Sequence, residues 1–93
     1  MSEIQITELG GNCPVQAEGT IRGELFYFRA RGNRWSLSIG SDPIGSPAWW
    51  MVEQYGEGPY DAGWMPEDDA EKFIRKAAAL YLAGHAPIEL NLD

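Results

Sequence analysis

Cysteine and histidine each occur once in these 93 residues, as Cys13 and His85. A single thiol excludes an internal disulfide and agrees with a reducing compartment. One Cys and one His also fall short of the roughly four ligands of a structural zinc site. Long apolar runs are missing too: the stretch from Ala77 to Ala83 is far shorter than the ~20 residues that cross a bilayer. Neither a basic segment nor an apolar signal region follows Met1, so a cytoplasmic location is expected. No Lys or Arg occurs between residues 35 and 71, where Asp42, Glu53, Glu57, Asp61, Glu67, Asp68, Asp69 and Glu71 all fall. The first 34 residues balance four Glu against Arg22, Arg29, Arg31 and Arg34, and residues 72–93 carry a net +1, so all the excess behind the net charge of −7 comes from that one acidic segment. Such a field attracts basic surfaces and repels nucleic acid, so a basic partner protein is expected and direct DNA or RNA binding is not.

What is present is ordinary globular composition, 44% apolar with four Trp, four Tyr and three Phe. Two two-residue turns, Arg22-Gly23 and Gly32-Asn33, lie between β-prone runs. Taken as tight hairpins, the first pairs Gly19 with Phe26, Ala17 with Phe28 and Val15 with Ala30. The second pairs Ala30 with Trp35, Phe28 with Leu37 and Phe26 with Ile39. Both registers sort the same apolar residues to one face, and a one-residue slip would undo the sorting. The other face receives Gln16, Glu18, Thr20, Leu25, Tyr27, Arg29, Ser36 and Ser38. A fourth meander strand is expected over Ala48 to Gln54 after a loop at Ser41 to Pro47. The adjacent Trp49 and Trp50 leave its buried face open. Ile4 and Ile6 suggest an N-terminal strand, and the alternation of Ile88, Leu90 and Leu92 a short edge strand or an extended tail.

Pro66 suits the first position of a helix, with Glu67, Asp68 and Asp69 in the first turn complementing its dipole. Ala70, Phe73, Ile74, Ala77, Ala78 and Tyr81 then form an apolar stripe, and Gly84 and Pro87 end the helix. The fold class expected is therefore α+β: one domain over residues 1–93, an antiparallel meander of four to five strands with one C-terminal helix packed on one face.

Catalytic chemistry has little to work with. His85 just past the helix end reads as a side chain capping the last carbonyls. Cys13 reads as a small buried thiol at a strand start, because nothing brings it to His85 as a nucleophile–base pair. The carboxylates at 57, 61, 67, 68 and 69 lack the alternating-oxygen spacing of a calcium loop, and Gly10-Gly11 lacks the lysine of a phosphate loop. A non-enzymatic protein with no metal and no cofactor is the reading that follows. Two features invite binding. Tyr55 to Pro66 mixes aromatics and carboxylates without periodicity, and Tyr and Trp are favoured anchors of interfaces. Tyr27, with Leu25, Arg29 and Arg34 nearby, forms a second candidate patch on the outer sheet face.

Three stretches, residues 11–19, 26–32 and 60–67, resemble a group of small uncharacterised proteins from proteobacterial genomes and their prophages. The similarity spans roughly residues 8–82 and brings no catalytic motif with it. In size, charge and motif poverty the chain also resembles phage-encoded inhibitors, including anti-CRISPR proteins. That resemblance implies an acidic surface that occupies the nucleic-acid channel of a Cas effector subunit. The partner-binding residues expected on this basis are Glu57, Tyr60, Asp61, Trp64, Asp68 and Asp69. The alternative is a small-molecule-binding or regulatory domain with Trp49, Trp50, Tyr60 and Trp64 as one aromatic pocket wall.

Overall fold

The computed structural model describes residues 3–12, 14–42, 45–58 and 60–88. Cys13, Leu90 and Leu92 lie outside the described residues, and so do the expectations placed on them. Five strands, β1 (Ile4–Gly10), β2 (Val15–Ile21), β3 (Glu24–Arg31), β4 (Arg34–Asp42) and β5 (Ser46–Gln54), form one antiparallel sheet in chain order. A turn of 3-10 helix, Ala62–Trp64, precedes the helix α1 (Glu67–Leu82). The architecture is the α+β meander with a C-terminal helix that the hydrophobic pattern implies.

The two hairpin registers are those the turns dictate, with Ala17 opposite Phe28 and Phe28 opposite Leu37. Arg22 and Gly23 both take positive φ, 49° and 83°, as a two-residue turn matched to strand twist requires. Arg22 adopts this conformation while tied to the residue just before β1: its backbone N–H donates to the Glu3 carbonyl and its guanidinium lies 2.6 Å from the Glu3 carboxylate. At Gly19 any side chain would collide with the Gln5 carbonyl and with the Phe26 ring.

β1 contains an irregularity that alternation does not foresee. Its register to β2 shifts between Ile6 and Glu8, so Thr7 is an extra residue whose hydroxyl donates to the Glu18 carbonyl. Through this bulge Leu9, three residues from Ile6, reaches the same side and packs on the core. β4 and β5 run further than expected, pairing Ser41 with Pro47 and Asp42 with Ser46. Pro47 is tolerated because β5 is an outer strand of the meander. Beyond it, Ile88 makes a parallel bridge to Met51, donating to the Trp50 carbonyl and accepting from the Val52 N–H.

Register also settles which tryptophan is inside. Trp49 opposes Ile39 and is buried, its ring edge-on to Tyr81 at 5.6 Å and its N–H donating to the His85 carbonyl at 2.7 Å. Trp50 is half-buried on the opposite face. The core lies between sheet and helix: Phe26, Phe28, Trp35, Leu37, Ile39 and Met51 meet Ala70, Ile74, Ala77 and Ala78 of α1. Trp35 stacks between Phe28 and Phe73, at 5.7 and 5.1 Å, and links the sheet to the helix.

Pro66 stands one position earlier than expected. Its ψ of 148° is extended, so it flanks the helix, while its carbonyl accepts the first helical bond from Ala70. At the other end Gly84, with φ 83°, bonds back to Tyr81, and His85 bonds back to Leu80. The capping by His85 thus comes from its backbone N–H and not, as the sequence suggests, from its ring. The imidazole Nδ1 instead sits 2.7 Å from the Ala86 carbonyl. No helix among the described residues is long and apolar enough to cross a membrane.

Candidate functional site

The segment from Tyr55 to Met65 joins β5 to α1 and is fastened at four places. Tyr55 N–H donates to the Asn33 carbonyl and Ala62 N–H to the Gly32 carbonyl, both at 2.8 Å, so the segment leans on the β3–β4 turn. Ala62 and Met65 are buried in the core. One oxygen of Asp61 accepts from the N–H groups of both Glu57 and Gly58 at 3.0 Å. Tyr55 donates its hydroxyl to Asp69 at 2.8 Å and sets its ring edge-on to Phe73. The glycines belong to the same design: a side chain on Gly56 or Gly58 would run into the Asp61 carboxylate, and Gly56 also has φ 72°.

This frame sorts the six expected partner-binding residues into two sets. Tyr60 and Trp64 project outward, 68% and 64% exposed, and Glu57 and Asp68 are exposed with no ion-pair or side-chain hydrogen-bond partner among the described residues. Asp61 and Asp69 work internally, the first closing the loop and the second fixing Tyr55 to the helix. The hydrogen bond to Asp69, reinforced by burial and by the negative charges of Asp69 and Asp61, raises the Tyr55 hydroxyl above its ordinary value. Met65, and not Trp64, fastens the loop beneath the helix.

The aromatic wall of the alternative reading is not assembled. Trp49 is in the core and Trp50 is on the other face of β5. Trp49 also pairs at Ile39, five residues along β4 from Arg34, or about 17 Å from the turn where the loop with Tyr60 and Trp64 is anchored.

A second surface emerges on the sheet face away from α1. Tyr27, Ser38 and Trp50 form one row across β3, β4 and β5, and Gln16 donates to the Tyr27 hydroxyl at 2.9 Å. The next rows hold Arg29, Arg31 and Arg34. Among the described residues no group of three or more His, Cys, Asp or Glu side chains could hold a metal ion. Compared with known proteins, the chain matches no family model, and no curated protein or solved structure shows significant similarity to it.

Proposed function

We propose that the protein is a non-enzymatic, protein-binding inhibitor that docks the Tyr55–Met65 loop and the start of α1 on a basic partner surface. The observation that carries this reading is the exposure of Tyr60 and Trp64 on a loop otherwise held rigid. Two of the three large apolar side chains left in solvent, counted among the described residues, belong to it. A loop already fixed by Asp61, Ala62 and Met65 loses little conformational freedom on binding, so its aromatic contacts count almost fully toward affinity. Glu57 and Asp68 flank the aromatics as unpaired carboxylates, which steer a basic partner and set the association rate. In the most concrete form, which extends the resemblance to anti-CRISPR proteins, the partner is a Cas effector subunit. The acidic surface then stands where nucleic acid would bind.

The test is capture of a partner from purified Cas complexes or cell extract, followed by binding kinetics on two variants. Tyr60→Ala should speed dissociation at least tenfold, the usual loss at a central aromatic anchor of about 2 kcal/mol. Glu57→Lys with Asp68→Lys should slow association, less so at high salt. Asp61 and Asp69 are left intact because their removal would loosen the loop itself. If a captured partner binds both variants as it binds the native chain, the loop is not the interface.

A further inference from the structure

The geometry points to an anion-binding groove on the outer sheet face at the β3–β4 hairpin, built by Arg29, Arg31 and Arg34 for a small, multiply charged oxoanion of the phosphate-ester class. The groove is an open depression of about 380 Å³ lined by these three arginines with Gly32, Asn33 and Ser36. Arg31 and Arg34 are direct cross-strand partners on the last rung of the hairpin, and Arg29 lies two residues away on the same face. Like charges placed opposite each other destabilise a sheet. No ion pair offsets that cost among the described residues: Arg29 is opposed by the neutral Gln16 and Ser36, and no carboxylate lies within ion-pair distance of the three.

The contrast with the other bases is informative. Of the four other Lys and Arg residues, Arg22, Arg75 and Lys76 have a carboxylate partner and only Lys72, alone on the helix, has none among the described residues, in a chain with fourteen acidic residues against seven Lys and Arg. The turn carbonyls of Gly32 and Asn33, which would repel an anion, are already taken by the N–H groups of Ala62 and Tyr55. Guanidinium groups match phosphate oxygens with paired hydrogen bonds, and three of them around one groove suit a ligand carrying two or more charges. The net charge of −7 selects for size. Screening at physiological salt extends only about 8 Å, so a compact anion sees mainly the arginines, whereas a long polyanion would also run across the acidic surroundings. The occupant is therefore a small phosphorylated molecule and not a nucleic-acid strand.

The test uses pyrophosphate as probe on the isotope-labelled full chain, at constant ionic strength set with chloride. Amide signals of Arg29 to Arg34 and Ser36 should shift saturably, with a Kd below about 1 mM. In Arg31→Gln with Arg34→Gln that affinity should fall at least tenfold. The same variant without ligand should melt at or above the native temperature, because it removes a like-charge pair. Non-saturating shifts, unchanged affinity in the variant, or a lower melting temperature without ligand would each overturn the assignment. So would a single-stranded oligothymidylate that binds this face more tightly than pyrophosphate does. None of these readouts involves Tyr60 or Trp64, so the groove stands or falls independently of the loop.

Discussion

At the scale of single residues, carboxylates of similar appearance do different work. Asp68 and Asp69 are neighbours in the first turn of α1 and contribute alike to the helix dipole, about 0.3–1 kcal/mol each. Only Asp69 accepts the Tyr55 hydroxyl. Because the protonated phenol is the bonded form, the raised folded value of Tyr55 adds stability that is complete below the ordinary tyrosine value of about 10. It is lost as pH climbs through the folded value. Asp69→Ala should bring the Tyr55 ring titration, followed by NMR, down toward the ordinary value, while Asp68→Ala leaves it in place. An equal response to both would mean that distributed negative charge, and not the hydrogen bond, sets the shift. Nothing in the sequence separates these two aspartates, since the distinction depends on where the Tyr55 ring lies across the loop. Asp61 was hidden in the same way, although the glycines at 56 and 58 mark a backbone that must fold tightly around something.

Among elements, the central hairpins were legible and the outer strands less so. Two short turns fix β2, β3 and β4 in register, and the alternation of Val15, Ala17, Phe26, Phe28, Leu37 and Ile39 admits only one inner face. β1 escapes that logic because the bulge at Thr7 changes phase midway, so Leu9 fits no alternating pattern. β5 presents two adjacent tryptophans, and the choice between them comes from the pairing with β4 and from the His85 carbonyl that awaits the Trp49 N–H. Gly19 tests the register directly, as it lies opposite Ile6 on one side and Phe26 on the other. Gly19→Ala should destabilise by at least the 1–3 kcal/mol typical of overpacked cores, because the added methyl meets the Gln5 backbone, which cannot swing aside, as well as the buried Phe26 ring. Chemical denaturation measures this, and a neutral result would contradict the close approach of β1 to β2.

For the whole molecule, summing charge along the chain concealed what the fold does with it. Arg22, Arg29, Arg31 and Arg34 cancel Glu3, Glu8, Glu18 and Glu24 in the count, yet in space only Arg22 pairs with one of these acids and the other three arginines pair with none. The result is an acidic protein with a local basic groove on one sheet face and an acidic, aromatic loop against the turn at its end. Long nucleic acids should still be rejected: mobility-shift assays at physiological salt should show no complex with duplex DNA or RNA. Micromolar binding that weakens with salt would show the groove outweighing the overall field.

The meander order bears on how quickly the chain can find its structure. Each strand pairs with its neighbour in sequence, so forming the sheet closes only short loops and calls for no long-range search. Low contact order of this kind places the folding rate toward the fast side for a sheet protein. The helix then settles on a face that already exists. The late steps are the distant ones: the Tyr55–Met65 loop reaching back to Gly32 and Asn33, and Ile88 returning to β5. Hydrogen exchange would find its earliest openings at the isolated Ile88 bridge, while the several bonds that fasten the loop carrying Tyr60 and Trp64 keep it closed.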